Sequence, residues 1–255
     1  MAVKKTKKLN TVSQVSKIAA NQTLLMTDSN GAATRISLAD LKASILGGLN
    51  LNAMEDGVFI MFHRKSDNYP LMVKPHLWGS YQNSGEIAEG VVIVEGGKML
   101  VVAPTEAPTP LLWSNTAVSG GGKTTSDRLA AFDDWAGKTN TDEQVKHTEC
   151  QGNNFASGFC RGYSRVNANG KGLVAGLWWQ PSLGEMTMIY ANMTKVNYAL
   201  SSIKGAEPLQ ATAYWTSTEY SATNAWYLYL SDGSAGSNAK AANKNRVRAV
   251  SAFLR

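Results

Sequence analysis

The sequence predicts an α+β fold in which helices pack on short antiparallel strands, and three local patterns support this class. The Gly96-Gly97 pair separates two β-branched runs, as the turn of a β-hairpin does. Ser182 and Glu185 have the spacing of a helix capping box, and apolar residues recur after them at helical intervals. Over residues 226–231, apolar and polar side chains alternate, which is typical of a half-buried strand.

Length and composition favour a globular chain with more than one part. The 255 residues suffice for a core domain and a smaller module, and 44% apolar against 17% charged residues provide a sizeable core. We expect a small N-terminal assembly module at residues 1–48, a β-rich connecting region at 49–89 and a C-terminal domain at 90–255.

The positive charge lies mostly in a basic tail. The formal net charge is +6, and Lys4, Lys5, Lys7 and Lys8 all lie near the N-terminus. We interpret this cluster as a solvated tail, so we expect no nucleic-acid partner. No apolar run follows these lysines and no stretch of about 18 apolar residues occurs elsewhere, so we expect neither a secretory signal nor membrane insertion.

The N-terminal module is predicted to consist of a strand, a turn and a helix. Residues 24–26 form a short apolar run, and Ser29-Asn30-Gly31 has turn chemistry. Ser37 is the expected N-cap of a short helix with Asp40 in its first turn. Gly47-Gly48 ends the module.

Several strands and a capped helix are expected next. The strand-like runs are "GVFIMF", "YPLMVKP" and "EGVVIVEGGKMLVVAP", and a connection rich in Pro, Gly and Ser follows them. A helix is predicted from an N-cap at Ser126 to a C-cap at Gly137, with Leu129, Phe132 and Trp135 on one face.

The last part of the chain combines the strongest helical pattern with three strand patterns. One helix is predicted over "PSLGEMTMIYANMTKVNYALSSI", and its methionines are interpreted as core residues. The strands are "AYWTSTEY", "NAWYLYL" and "NRVRAVSAF". In the second of these, Trp226, Leu228 and Leu230 share one face, whereas Tyr227 and Tyr229 share the other.

No pattern in the sequence predicts catalysis. "SGGGKTTS" resembles half of a phosphate-binding loop, but Ala117 stands where the first glycine is required, so we interpret it as a connector. The three histidines, His63, His76 and His147, lie in no nucleophile motif. The acidic pairs Asp133-Asp134 and Asp142-Glu143 are interpreted as favourable charges at helix starts. We therefore expect no catalytic residues and no cofactor.

The two cysteines do not predict a metal site. Cys150 and Cys160 have only His147 nearby as a further ligand, and a four-ligand zinc site would lack members. We expect no bound metal. Two readings of the pair stay open, namely two free thiols or a local disulfide that closes a loop.

A family resemblance is carried by "LWWQPSLGEM", "YWTSTEYSATNAW" and "NRVRAVSAF", which occur in this order. With them, residues 90–255 resemble the C-type lectin fold as used by variable proteins of diversity-generating retroelements, the family that includes phage tropism determinants. The most specific pieces are Trp215 to Glu219 and the terminal "RVRAV". "QPS" lacks the acidic residue that calcium-dependent lectins place beside their proline, so we expect a calcium-independent surface.

The resemblance implies a hypervariable ligand-binding segment at about residues 214–245. In this family, mutation of template adenines converts Asn codons into codons for a small set of residues that includes Tyr, Ser, Ala, Thr and Gly. Tyrosine, serine and asparagine also dominate antibody paratopes, because they combine rigid contact area with adaptable hydrogen bonding. The candidate ligand-binding residues are Tyr220, Ser221, Ala222, Thr223, Asn224, Tyr227, Tyr229, Ser231, Ser234, Ala235, Ser237, Asn238, Ala239, Ala241, Ala242 and Asn243.

A second, shorter resemblance concerns "LLMTDSNGAATRISLADLKASI", which is similar to the N-terminal part of phage tail-fibre proteins. Together the two resemblances imply a homotrimeric virion protein that binds a host-cell surface protein or glycan and contacts other virion tail proteins. The alternatives are a bacterial surface or pilus-tip adhesin, a purely structural virion protein and an enzyme of the formylglycine-generating fold. The last is disfavoured because those enzymes use cysteines near the C-terminus.

Overall fold

A computed structural model describes residues 23–27, 33–37 and 55–252 of the chain. The chain divides into two compact units, Met1–Met54 and Glu55–Arg255. In the first unit, β1 (Thr23–Thr27) pairs antiparallel with β2 (Ala33–Ser37). The strand expected at residues 24–26 is therefore present. Ser37 ends the second strand, and both the turn at 29–31 and the helix expected after Ser37 lie outside the described residues.

The second unit is built on a five-stranded antiparallel sheet. Its strands, in spatial order, are β14 (Val250–Ser251), β6 (Lys98–Val102), β5 (Gly90–Glu95), β3 (Gly57–His63) and β4 (Pro70–Val73). Gly96 and Gly97 have φ angles of 55° and 75°, as a tight two-residue hairpin loop requires. The hairpin predicted between β5 and β6 is thus observed, with Glu95 opposite Lys98.

Residues 49–89, which were expected to form a β-rich connecting region, supply the two strands β3 and β4 of this sheet. Strand β3 pairs with β5 over five residue pairs, from Gly57↔Val94 to Met61↔Gly90. Val58, Ile60 and Phe62 are buried on the same core as Val91 and Ile93. The compact unit accordingly starts at Glu55, and residue 90 lies within a strand of the sheet.

The helices of the second unit are short. They are α1 (Trp78–Asn83), α2 (Arg128–Phe132), α3 (Gly137–Gln144), α4 (Ala156–Gly162), α5 (Leu183–Ala191) and α6 (Met193–Ser201), with 3₁₀ turns at Pro75–Leu77 and Thr148–Cys150. Within the described ranges, no helix has the length and apolar character needed to cross a bilayer.

The helix predicted from Ser126 to Gly137 is wrong in its cap and its length. Asp127 is the N-cap, and its carboxylate accepts hydrogen bonds from the N–H groups of Leu129 and Ala130. Helix α2 ends at Phe132, and Gly137 starts α3 instead of ending a helix. Leu129 does not lie on a buried face, since it is 80% exposed. The pair Asp142-Glu143 lies near the end of α3, so the expected position at a helix start is also wrong.

The single helix predicted over residues 181–203 is two helices. The capping box is present as predicted, because Ser182 Oγ accepts from Glu185 N and Glu185 Oε2 accepts from Ser182 N. The helix breaks at Asn192, whose Nδ2 donates to Met188 O and to Glu95 Oε2. This local side-chain bond competes with the helical backbone ladder, as asparagine commonly does.

A three-stranded antiparallel sheet closes the core. Its order is β10 (Ala213–Glu219), β11 (Asn224–Tyr229) and β12 (Ala235–Ala239). The core lies between this sheet, helices α5 and α6 and the five-stranded sheet, and it contains Met186, Ile189, Val196, Leu200, Trp226 and Leu228.

The C-terminal run "NRVRAVSAF" does not form one strand. Residues Lys244–Asn245 form β13, which pairs with β7 (Leu111–Leu112). Val250 instead pairs with Val102 at the edge of the five-stranded sheet. The run therefore connects two sheets, and backbone hydrogen bonds join Arg246 to Ala213 and Val250 to Trp179 along the way.

The capping carboxylate of Glu185 is buried between helices and loop. Glu185 Oε2 accepts from Trp179 Nε1 at 3.1 Å and from Ser182 N at 2.9 Å, and the side chain has little solvent exposure. Burial is the main cause that raises the pKa of Glu185, to about 7, and nearby Asp134 adds to it. Folding therefore favours the protonated acid.

We expect the stability of the protein to fall as pH rises from about 4.5 to about 7, because the folded state keeps a proton on Glu185 that the unfolded chain releases. Glu185→Gln keeps the capping geometry and removes this titration. Urea unfolding across this pH range should thus give a flatter profile for the variant. The exposed Asp133→Asn is the matched control. Parallel profiles for wild type and Glu185→Gln would contradict the assignment.

Candidate ligand-binding surface

The candidate surface is built around β11, the central strand of the three-stranded sheet. Trp226 and Leu228 are buried, and Leu230 just after the strand is buried with them. Tyr227 is half-buried and Tyr229 is 39% exposed on the opposite face. The alternation predicted from the sequence is therefore present, with the apolar face on the core.

The two tyrosines contact each other at the surface. Their ring centroids lie 5.2 Å apart with an interplanar angle of 85°, an edge-to-face arrangement. Burial, together with neighbouring Tyr229, raises the pKa of Tyr227. The pair thus presents an aromatic surface that carries two hydroxyl groups.

Gly236 on β12 lies beneath the ring of Tyr227. The register places Gly236 opposite Tyr227, and a Cβ atom at this glycine would lie 2.4 Å from the Tyr227 hydroxyl. Only glycine lets the ring cover the backbone of the edge strand here. The sequence reasoning missed this residue, although a glycine inside a strand is a recognised signal of close approach.

All sixteen candidate residues are exposed or half-buried. Within residues 220–243, the buried residues are the scaffold positions between the candidates, namely Ala225, Trp226, Leu228, Leu230 and Lys240. Two candidates nevertheless contact the core, since Tyr220 packs edge-on against Trp226 at 5.2 Å and Ala235 packs against core side chains.

The structure brings the candidates together in two groups at opposite ends of β11. One group consists of the hairpin 220–224 and residues 238–243, which meet where Lys240 N donates to Thr223 O. The other group consists of Tyr229, Ser231, Ser234 and Ala235, with Tyr227 between the groups.

The candidates on the edge strand β12 lie on both faces of the sheet. Residues that lie opposite each other on paired strands share a face, so Asn238 lies on the same face as Tyr227, whereas Ala235, Ser237 and Ala239 lie on the other face.

A buried ion pair between Lys240 and Glu219 lies beneath the first group. Both side chains have no solvent exposure. Lys240 Nζ also donates to Val118 O at 2.7 Å and to Ala222 O at 3.1 Å, and it lies 4.4 Å from the centre of the Trp113 ring. Burial lowers the pKa of Lys240, and the contact with Glu219 opposes that shift.

The "SGGGKTTS" segment wraps around the carboxylate of this pair. Glu219 accepts from Gly120 N at 2.9 Å and from Gly122 N at 3.3 Å. A Cβ at Gly120 would lie 2.7 Å from Gln144 and 2.8 Å from Trp113, so close packing requires glycine there. The segment thus binds a carboxylate of its own chain, a role that the sequence did not reveal.

Two further polar groups anchor β10 to the helices. Asp134 accepts from Asn140 Nδ2 and from Thr218 Oγ1, at 2.8 and 2.7 Å. Gln144 Nε2 donates to Ser217 O at 2.6 Å. Thr216 Oγ1 also donates to Trp226 O at 2.8 Å, and Ser217 Oγ accepts from Asn140 Nδ2 at 3.3 Å. Together these bonds explain why Thr216, Ser217 and Thr218 are polar yet fully buried.

The residues considered for metal or redox chemistry are dispersed. His63 pairs with Glu89, and His76 is exposed. Among residues that the structure describes, no group of three His, Cys, Asp or Glu side chains is arranged to hold a metal ion. Cys150 and Cys160 are buried free thiols, so the disulfide alternative is wrong. Burial raises the pKa of Cys150 to about 12 and that of Cys160 well above its usual value.

Comparisons with known proteins do not assign the chain to a family. No protein-family model matches the chain, and no curated protein matches it. Among solved structures, the chain is similar to a fimbrial protein from Bacteroides ovatus ATCC 8483, with 16% identity and a TM-score of 0.44. The match covers 78% of this chain and 49% of the other, so this chain spans about half the length of that protein. A similarity this low assigns neither fold family nor function.

We expect Lys240→Met to destabilise the protein by about 3–5 kcal/mol, because it leaves the Glu219 carboxylate buried without its cation. The double variant Glu219→Gln/Lys240→Met removes both charges and should recover much of that loss. Lys146→Met, which breaks a surface pair with Glu143, is the control and should cost at most about 1 kcal/mol. Denaturant midpoints give the comparison, and equal loss in the single and double variants would contradict this account.

Proposed function

We propose that this protein is a phage receptor-binding protein that displays a diversified, calcium-independent ligand surface on a C-type-lectin-like domain. The observation that carries the proposal is the separation of residue types along 220–243. Every candidate position has some solvent exposure, whereas the Trp, Leu and Lys residues between them are buried. A surface that varies for binding requires this division, since variable positions must not form the core.

The backbone contacts beneath the surface support the proposal further. Lys240 holds the carbonyl of Ala222, and Trp226 Nε1 donates to Thr125 O at 2.8 Å. Because the scaffold binds backbone atoms, a new side chain at position 222 leaves these bonds intact. The edge-to-face pair of Tyr227 and Tyr229 supplies rigid aromatic contact area of the kind found in paratopes.

The proposed role also includes assembly into a phage particle. We place the protein in the virion as a homotrimer, with its N-terminal module contacting other tail proteins and its C-terminal domain contacting the host-cell surface. An N-terminal unit of about 50 residues gains buried surface by association, because small domains bury little on their own. The proposed role is one of binding, without catalysis.

Removal of the tyrosine pair tests the surface. We expect Tyr227→Ala/Tyr229→Ala to weaken attachment to the target cell by about 2 kcal/mol or more, because aromatic residues dominate binding hot spots. Stability should change by about 1 kcal/mol or less, whereas Trp226→Ala should cost roughly 3–5 kcal/mol. Labelled protein on a panel of bacterial cells provides the measurement.

The control for this experiment is Tyr198→Ala, which removes an exposed tyrosine from helix α6. Its attachment should equal that of the wild type. If the double variant also attaches normally, Tyr227 and Tyr229 are not the binding surface and the proposal fails.

A pair of libraries tests tolerance to variation. We expect most members to stay soluble when the fourteen candidate positions other than Tyr220 and Ala235 are randomised, since surface substitutions usually change stability by about 0.5 kcal/mol or less. A second library at Ala225, Trp226, Leu228, Leu230 and Lys240 should lose soluble expression broadly. Selection of the first library on different cells should then enrich different sequences. Similar losses in both libraries would show that the candidate positions are structural.

A further inference from the structure

A cavity of about 480 Å³ lies at the start of strand β10. Ala213, which lies opposite Tyr229 in the sheet register, forms part of its wall. The backbone bond from Arg246 N to Ala213 O, 3.1 Å long, joins the two segments that enclose it. Its polar lining consists of Gln210, Thr212, Lys244, Asn245 and Arg246.

The cavity carries positive charge. Arg246 pairs with Glu106, which also binds Arg248 and the Tyr214 hydroxyl, so one carboxylate serves two guanidinium groups. Lys244 is exposed and forms no ion pair within the described part of the chain. An anionic group in the cavity would therefore meet a cation whose charge is not already neutralised.

Asn245 adds an unsatisfied donor. The residue is 7% exposed, and its Nδ2 atom is buried without a hydrogen-bond partner. A buried donor without a partner carries a penalty that an acceptor removes. Asn245 lines the cavity, so an acceptor on a ligand bound there is the partner that this donor lacks in the described structure.

The remaining lining disfavours ligands with large apolar groups. Pro110, Ala211 and Ala213 are its apolar residues, and no aromatic or long aliphatic side chain of the described chain lines it. A nucleobase or a hydrophobic peptide anchor would find no stacking or packing partner. Thr212 and Gln210 instead offer neutral polar groups suited to hydroxyls.

We propose that this cavity binds a carboxylate-bearing sugar residue. The carboxylate pairs with Lys244 and is the acceptor for Asn245, while the sugar hydroxyls contact Thr212 and Gln210. The volume lies within the usual range of small-ligand sites. This site rests on its own residues and does not depend on diversification or on the tyrosine pair.

Saturation-transfer NMR on the full chain, with sodium glucuronate as the probe and glucose as the neutral match, tests the proposal. We expect signal from glucuronate and none from glucose. Lys244→Ala should weaken glucuronate binding about tenfold, the effect of losing one charged hydrogen bond. Lys244→Arg should retain binding, and Lys171→Ala, at another exposed lysine, should leave it unchanged.

Three results would overturn the site. These are no glucuronate signal, equal signals from glucuronate and glucose, or unchanged binding in Lys244→Ala. Inorganic sulfate is the competitor that distinguishes binding of any anion from recognition of the sugar acid. If sulfate displaces glucuronate completely at equal concentration, the cavity is a general anion site and the sugar assignment is wrong. None of these readouts uses cell attachment, so failure here is distinguishable from failure of the proposed receptor-binding role.

Discussion

Lys240 and Glu219 form a fully buried ion pair that joins four segments of the second unit: the glycine-rich loop after residue 118, the end of β10, the hairpin at 220–224 and the chain after β12. Apart from the pair itself, the hydrogen-bond partners are backbone carbonyls and N–H groups. Ion pairs of this kind rarely add net stability, because desolvation offsets their attraction. Their effect is to fix geometry, since any rearrangement of these loops would leave a charge buried and unpaired.

Three tryptophans fix neighbouring strands and the connection at Thr125 by a similar principle. Trp113 Nε1 donates to Thr216 O, Trp215 Nε1 to Leu111 O and Trp226 Nε1 to Thr125 O, at 3.0, 2.9 and 2.8 Å. Each indole combines a large buried ring with one directed bond to the main chain. The loop conformation is thus set by residues outside the candidate surface. Most side chains on that surface have no core contact, but Tyr220 and Ala235 pack against the core and Ser221 Oγ accepts from Thr223 N and Asn224 N.

The features that the sequence predicted correctly are those determined by residues close together in the sequence. The capping box of Ser182 and Glu185, the Gly96-Gly97 hairpin and the alternation after Trp226 each follow from spacing within a few residues. The features that the sequence could not predict depend on partners that are far apart in the sequence. Asn192, where the helix breaks, also bonds Glu95, 97 residues away in sequence. Strand Ala235–Ala239 has a poor strand composition and exists because β11 pairs with it. From the sequence alone, Lys240 would be taken for a surface lysine, because only the fold brings Glu219 beside it.

The geometry of the edge strand limits how one ligand could use the candidate residues. Asn238 shares a face with Tyr227 and Tyr229, whereas Ser237 and Ala239 lie on the opposite face. The opposite face of the sheet carries Trp226 and Leu228, which pack in the core, so a flat partner contacts the tyrosine face. Rigid aromatic rings on this face contribute far more to binding than Ser and Ala do. The Lys244 cavity includes Ala213, which lies opposite Tyr229 in the sheet register, so a glycan bound there would extend toward that face. The two proposed sites would then act on a single ligand, with the cavity fixing its charged end and the tyrosines contacting the remainder.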